Sequence, residues 1–455
     1  MAAEGENRAI AARLSSFDTA MVVFSLVVGI GIFRTPAIVA RAAGDGTLFF
    51  VAWITAGLAS LIGALVFAEI GSRHPCAGGY YRVVADCYHP TLAFMLNWSQ
   101  TLMQGVGAAG VAFIGADYLA PLVLPAGWRS SHAALALACA TMLALLAVNY
   151  RGIRLGARTQ NLLSLVKIAL IAGLALLAFV LAPHTRALDS PVIAGAAAGH
   201  WGPRLAAALV PCFYAYGGYQ LTINLGADLK DARRSFPLAI AGGMLTVVAL
   251  YLLLNLAYQR VLGAGGIAAS GLVAAALAGR LLGPTGSTLI SIAVFVSAAG
   301  FVNATIVQMP RTFYAMAEDG VLPRAFLRVN PATQVQETGL AFFGATMMLP
   351  ALILGSFQKL LDYVILVDTM TLAVVASTLF ILRRGREGEE GFAMRGYPVL
   401  PLIYIACLLT VAARVASLQP ALALAAAVIL LTGWPLFRFG RRLFGGERGA
   451  RRIIG

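Results

Sequence analysis

Apolar runs of roughly 20 residues recur along this chain from end to end, the length an α-helix needs to cross ~30 Å of hydrocarbon. No water reaches the backbone in that layer, so each crossing has to satisfy its own N–H and C=O groups. The chain is 60% hydrophobic and only 11% charged, with a mean hydropathy of +0.84. A soluble domain carries about a quarter charged residues. The expected fold is therefore an all-α polytopic membrane protein. Twelve spans are predicted, at about 17–42, 47–71, 88–120, 131–149, 159–182, 205–226, 236–258, 286–310, 338–355, 358–382, 399–418 and 420–437. The first differs from a signal peptide in holding Gly29, Gly31 and Pro36 within its apolar run.

The formal net charge of +14 would suit a nucleic-acid binder, but its placement argues otherwise. With the N-terminus inside, 23 of the 33 basic residues fall in inner segments and nine, from Arg34 to Arg414, in outer ones. Lys167 lies within a span. This asymmetry follows the positive-inside rule. It places both termini in the cytoplasm and the chain in the plasma membrane, or the inner membrane of a prokaryote, with lipid rather than nucleic acid around it. Cys76, Cys87, Cys139, Cys212 and Cys407 show no metal spacing and imply no structural disulfide. The five histidines are scattered, and no catalytic, phosphate-loop or dinucleotide motif occurs, so neither an enzyme nor a cofactor is expected.

Two spans carry glycine where a helix should be continuous: Val28-Gly29-Ile30-Gly31-Ile32-Phe33 in the first and Tyr214-Ala215-Tyr216-Gly217-Gly218 in the sixth. Glycine weakens a helix, and unwound backbone persists in a membrane only where it is buried in protein or lines a polar cavity. At ~1.5 Å per residue, Phe17 to Gly29 climbs about 18 Å, just past the midplane. The sixth segment descends about as far to Gly217. Glycines that merely let helices pack closely are the bland alternative. Two breaks, matched in depth and in opposite directions, instead mark a secondary transporter with a midplane site. N–H groups of Ile30, Gly31 and Ile32 would suit a carboxylate. Carbonyls of Val27, Val28, Tyr214 and Ala215 would suit an ammonium, which together describes a zwitterion receptor.

Gly29-Ile30-Gly31-Ile32-Phe33 with Thr35-Pro36 resembles the signature of the amino acid–polyamine–organocation transporters, most nearly the L-type amino-acid branch. Phe213-Tyr214-Ala215-Tyr216-Gly217-Gly218-Tyr219, Asp228 to Ile240, Ala68-Glu69-Ile70-Gly71, Gly78-Gly79-Tyr80, Gly300-x-x-Asn303 with Arg311, Asp319-Gly320 and Leu431 to Pro435 continue the likeness in order. The resemblance implies a leucine-transporter-like fold of two inverted five-helix repeats with discontinuous helices 1 and 6. Helices 1–5 would occupy 1–182, helices 6–10 residues 183–382, and helices 11–12 with a basic tail 383–455. Ile30 stands where the family usually has serine, and Asp228 where it has glutamate. Gly217 stands where cation-transporting relatives carry an acid, which favours neutral substrates. Residues 121–130 lack the cysteine that bonds an accessory glycoprotein in eukaryotic members, so no disulfide-linked partner is expected.

Ionisable residues inside a bilayer are functional candidates. Lys167 either snorkels to the inner headgroups or, as the resemblance implies, replaces a sodium ion between the first-helix break and the eighth helix, with Ser297 as acceptor. Asp368 carries a proton, pairs with a base or faces water. Arg34 reads as snorkelling outward, and Glu69 and Asp117 as caps or gates. Tyr80, Tyr118 and Tyr150 read as interfacial anchors. Tyr214 and Tyr216 serve packing or, for Tyr214 by resemblance, gate the substrate. The expected function is sodium-independent transport of neutral L-amino acids by alternating access, in exchange mode. Proton symport through a lysine that releases its proton is the alternative. A receptor that binds amino acids without moving them is the more distant one.

Because neither glycine break contains an acid, small or branched neutral amino acids should displace bound substrate better than arginine or agmatine in competition assays. Strong displacement by the two cations would reverse the assignment.

Overall fold

The computed structural model describes residues 13–29, 31–128, 130–181, 200–354, 358–384, 392–418 and 420–444. Among these, fifteen α-helices and no strand are found. The first pair is α1 (Ser16–Val27) and α2 (Gly31–Ala43), followed by α3 (Gly46–Arg73), the short α4 (Gly79–Cys87), α5 (Pro90–Val123), α6 (Ser131–Tyr150) and α7 (Ile153–Leu181). Then come α8 (Trp201–Tyr216), α9 (Ala232–Ala269), α10 (Val273–Leu282), α11 (Pro284–Glu318), α12 (Glu337–Leu354), α13 (Gln358–Arg384), α14 (Val399–Leu418) and α15 (Pro420–Phe444).

The helix starts follow from local chemistry. Ser15 and Asp18 form a reciprocal capping box at α1, satisfying two backbone N–H groups that have no partner inside the helix. Asp45 caps α3 by accepting from the Leu48 N–H at 2.7 Å. Pro90 and Pro284 open α5 and α11, where a missing N–H costs nothing. Within α9, Gly263 at φ 69°, ψ 167° breaks the helix near its C-terminal end.

Nine helices among the described residues are long and apolar enough to cross a membrane. Taken as one bent span, α1 and α2, which meet at 45°, make a tenth. Two of the twelve expected segments, the sixth and the ninth, fall outside that number. The α-helix of the sixth segment stops at Tyr216 after 16 residues, and the ninth is α12. Leu58, Val180, Leu238 and Leu424 are each more than half exposed on the outside of the bundle. Such a surface suits hydrocarbon rather than water.

Inside, α3 and α9 pack along each other, α2 lies on α8, and α11 runs between α5 and α7. One large core joins α1, α2, α3, α8 and α9. A second, built by Ala109, Met142, Met309 and Phe343, joins α5, α6, α11 and α12. The most apolar stretch of α11 is 72% buried and that of α15 is 22% buried, so α11 is central and α15 peripheral.

Polar ties close both ends of the bundle. Asp228, fully buried, takes a two-pronged bond from the Arg311 guanidinium at 3.0 and 2.9 Å. Arg82 of α4 spans Glu318 and Asp319 at 2.6 Å each, and the Tyr81 hydroxyl adds a bond to Asp319. Glu69, expected at a span end as a cap or gate, gathers Arg73, Arg383 and the Met394 N–H around one buried carboxylate. Arg383 also lies 3.9 Å over the Tyr397 ring. At the opposite end Arg204 holds the Ala43 carbonyl and, at 2.5 Å, the Asp45 carboxylate.

Removing one member of a buried ion pair strands the other charge, at a cost of about 3–5 kcal/mol. Arg311→Met should therefore lower the apparent melting temperature of the purified protein sharply. The double variant Asp228→Leu/Arg311→Met should recover most of that loss. A double variant as unstable as the single one would show that the pair is not coupled.

Candidate functional site

The helix α1 ends at Val27, Val28 leaves helical geometry at φ −79°, ψ 78°, and α2 resumes at Gly31. Ile30 lies outside the described residues. On the other side, α8 ends at Tyr216, and Gly217 is extended at φ −69°, ψ 159°. Gly218 adopts φ 119°, which L side chains rarely reach, and a Cβ there would lie 2.4 Å from the Leu26 carbonyl oxygen. Only glycine meets both the backbone and the space requirement. The chain then continues as a 3₁₀ turn, Tyr219–Asn224.

The two breaks meet. A Cβ on Gly31 would lie 3.4 Å from the Ala215 Cα, so Val27, Val28, Gly29, Gly31 and Ile32 share one locus with Ala215 and Gly217. Around Gly29 there is open space, since a Cβ would find nothing within 4 Å. The N–H groups of Gly31 and Ile32 belong to the first turn of α2, where a helix offers them no acceptor.

The carbonyls expected to stand free are engaged, which corrects the simplest picture of an open ammonium cage. The Tyr251 hydroxyl reaches the Val27 and Ala215 oxygens at 3.2 Å each, so one side chain of α9 bridges the two breaks. Val27 also accepts from the Gly29 N–H at 2.8 Å, and Tyr214 from the Gly217 N–H at 3.2 Å. Val28 takes Lys167. The reason is general: an unpaired carbonyl in an apolar interior costs about 1–3 kcal/mol, so the fold supplies donors. The Val28 and Ala215 oxygens, with one donor each, keep a second lone pair, whereas Val27 already has two donors.

Lys167 is 1% exposed and does not snorkel. Its Nζ donates to the Val28 oxygen at 2.5 Å and approaches the Ser25 oxygen and hydroxyl at 3.4 and 3.5 Å. The C-terminal end of α1 carries the negative pole of the helix dipole, where a cation is favoured. Among the described residues the ammonium forms no ion pair. Ser164, one turn before Lys167, joins α7 to α1 through the Ser25 hydroxyl at 2.8 Å and the Met21 carbonyl at 2.9 Å. On the eighth span the residue against the lysine is Gly300, whose Cβ would lie 3.0 Å from Lys167 Cε. Ser297, the expected acceptor, is buried with no hydrogen-bond partner. The distance between α7 and α11 explains the difference: the lysine fills the space that a side chain at position 300 would need.

Asp368 accepts from the Gln100 amide at 2.7 Å and, among the described residues, pairs with no base. The Tyr219 and Tyr404 hydroxyls, 2.8 Å apart, and the Tyr80 hydroxyl share its surroundings. Tyr80 is therefore no interfacial anchor: it is 1% exposed and stacked on Phe67. Tyr150, by contrast, is partly exposed and bonds the Glu337 carbonyl. Tyr216 packs against Trp53 and Tyr251, whereas Tyr214 is 44% exposed. Arg34 is exposed.

Sequence reasoning missed Tyr251, which sits in an apolar run without any motif around it. It also missed the buried chain Asn149–Asn303–Gln160, with bonds of 2.7 and 2.9 Å between α6, α11 and α7. Amides inside apolar spans were the available signal for the latter.

The amino acid permease family model matches residues 14–433. The chain is similar to the serine/threonine exchanger SteT of Bacillus subtilis (strain 168), at 29% identity over 85% of this chain and 86% of that protein. It is also similar to the Asc-type amino acid transporter 1 of Homo sapiens, at 24% over 96% and 83%. A third relative is the large neutral amino acids transporter small subunit 2 of Mus musculus, at 25% over 92% and 79%.

Gly29→Ala should change the unfolding free energy by less than about 1 kcal/mol, because the added methyl meets no atom of the described residues beyond its chain neighbours. If the space beside Gly29 holds substrate, amino-acid binding should weaken at least about tenfold, as a clash of some 1.4 kcal/mol suffices. Unchanged binding in a stable Gly29→Ala protein would move the site elsewhere.

Proposed function

Because this chain belongs to the amino acid permease family, we propose that it is a sodium-independent exchanger of small neutral L-amino acids. Membership makes it a multi-span membrane transporter of amino acids rather than an enzyme. The finer reading is supported above all by one observation, the Lys167 ammonium fixed on the Val28 carbonyl at the first break. A bound cation is needed there to complement the end of α1. A covalently held one cannot travel with the substrate, so no sodium gradient is tapped, and exchange follows naturally.

In this reading the substrate carboxylate sits on the N–H groups of Ile30, Gly31 and Ile32. The ammonium lies among the Val27, Val28, Tyr214 and Ala215 carbonyls and bonds the second lone pairs of Val28 and Ala215, with Gly29 and Gly217 leaving room. Tyr214 closes over the substrate. The absence of an acid at Gly217 and the serine/threonine exchanger among the relatives support small neutral side chains. The twelve-span count, the repeats at 1–182 and 183–382 with a terminal pair in 383–455, cytoplasmic termini and a plasma-membrane location belong to the same proposal. So does function without a disulfide-linked subunit, on the strength of the cysteine-free 121–130 segment. Proton coupling remains a second reading because Asp368 is a membrane carboxylate bonded to an amide instead of a base.

Proteoliposomes preloaded with serine should take up labelled serine far faster than empty ones, with or without sodium. Lys167→Ala should cripple uptake. Sodium-stimulated uptake by wild type, or full activity of Lys167→Ala, would refute the surrogate role. Accumulation in empty vesicles driven by a pH gradient alone would select proton symport.

A further inference from the structure

A second concavity lies away from the breaks, where the chain enters α1 and α7. It encloses about 310 Å³ and is lined by Arg13, Leu14, Asp18, Arg154, Ala157, Arg158 and Lys230. That size is at the lower end of the roughly 300–1,000 Å³ typical of small-molecule sites.

Its charge is lopsided: four cations face one carboxylate. Asp18 is already occupied, accepting from the Ser15 N–H at 2.9 Å, the Ser15 hydroxyl at 2.8 Å and the Asn161 amide at 2.6 Å. Among the described residues none of the four cations is in an ion pair. Arg154 and Arg158 are one turn apart on the same face of α7, a like-charge spacing that destabilises a helix by itself. The positive-inside rule asks only for basic residues near the inner face. It does not ask that four of them converge on one hollow.

The backbone around the hollow is fixed. The Arg13 and Leu14 N–H groups both bond the Asp228 carbonyl at 2.8 Å, and the Lys230 N–H bonds the Leu14 carbonyl at 3.0 Å. This short strap carries Arg13 and Lys230 on one side, facing Arg154 and Arg158 on the other. Both α1 and α7 begin here, so their positive poles add to the field.

We infer that the hollow lined by Arg13, Lys230, Arg154 and Arg158 is a binding site for a phosphate-bearing anion. Occupied, it ties the strap and the start of α1 to α7. Two sources supply that chemistry, the headgroup of an anionic phospholipid and free phosphate. Basic pockets between helix ends at the cytoplasmic face suit the first. The site is separate from the glycine breaks, and the test reads binding, so it stands or falls independently of the transport reading.

The purified full chain is titrated with dioctanoyl phosphatidylglycerol, dioctanoyl phosphatidylcholine or inorganic phosphate, and the apparent melting temperature is followed. Phosphatidylglycerol should raise it saturably and phosphatidylcholine should not. In Arg154→Gln/Arg158→Gln the half-saturating concentration should rise at least about tenfold, since each lost cation is worth roughly a factor of five. Arg154→Lys/Arg158→Lys should stay near wild type. If the glutamine variant does not fold, Lys230→Gln on the exposed rim should still shift the midpoint about fivefold. Saturation by inorganic phosphate as strong as that by phosphatidylglycerol assigns the site to the free anion. The same response in wild type and glutamine variants, or no difference between the two lipids together with no effect of phosphate, would overturn the proposal.

Discussion

Backbone that leaves helical geometry inside a membrane has to find partners, and the way this chain supplies them organises the rest of its structure. The Tyr251 hydroxyl holds the Val27 and Ala215 carbonyls together, and Lys167 holds the Val28 carbonyl. Through these contacts α7 and α9 become obligatory neighbours of both broken helices. The central position of α11 follows in part, because Gly300 has to lie against the lysine stem. Open space remains beside Gly29, where, its chain neighbours aside, no atom of the described residues lies within 4 Å of an added Cβ.

Away from that centre the ion pairs gather at the ends. Asp228 with Arg311, Arg82 with Glu318 and Asp319, and Glu69 with Arg383 join segments distant in sequence at one end. Arg204 with Asp45 does so at the other. Buried pairs of this kind add little net stability over apolar packing but are costly to break one partner at a time. Ties of that sort hold one arrangement firmly while leaving it replaceable by another that pairs the same charges differently.

Several features were legible before any coordinates. Apolar length announced the spans, the glycines announced both breaks, and a lone lysine in Leu163-Ser164-Leu165-Val166-Lys167 announced itself by its cost. Where the reading went astray, it lacked distances between helices. Ser297 was chosen as the lysine's acceptor for its hydroxyl, yet Gly300 is the residue that faces Lys167. Tyr80 was read as an anchor from its place near a span end, yet α4 folds back under the bundle and buries it. Tyr251 went unnoticed because a tyrosine among leucines reads as packing until its hydroxyl is seen between two carbonyls.

The sequence by itself determined the class of solvent, the helical class and the sites where helices must fail. These depend on local composition and on the absence of a glycine side chain, which act within a few residues. Only the tertiary structure decided what satisfies the freed backbone, which charges pair, and where room is left. Those outcomes depend on which helix faces lie within 3 Å of one another, and that is set by packing among spans up to hundreds of residues apart. The Lys167 ammonium on the Val28 carbonyl is the plainest case: both residues were suspected from the sequence, but only the approach of α7 to α1 made them partners.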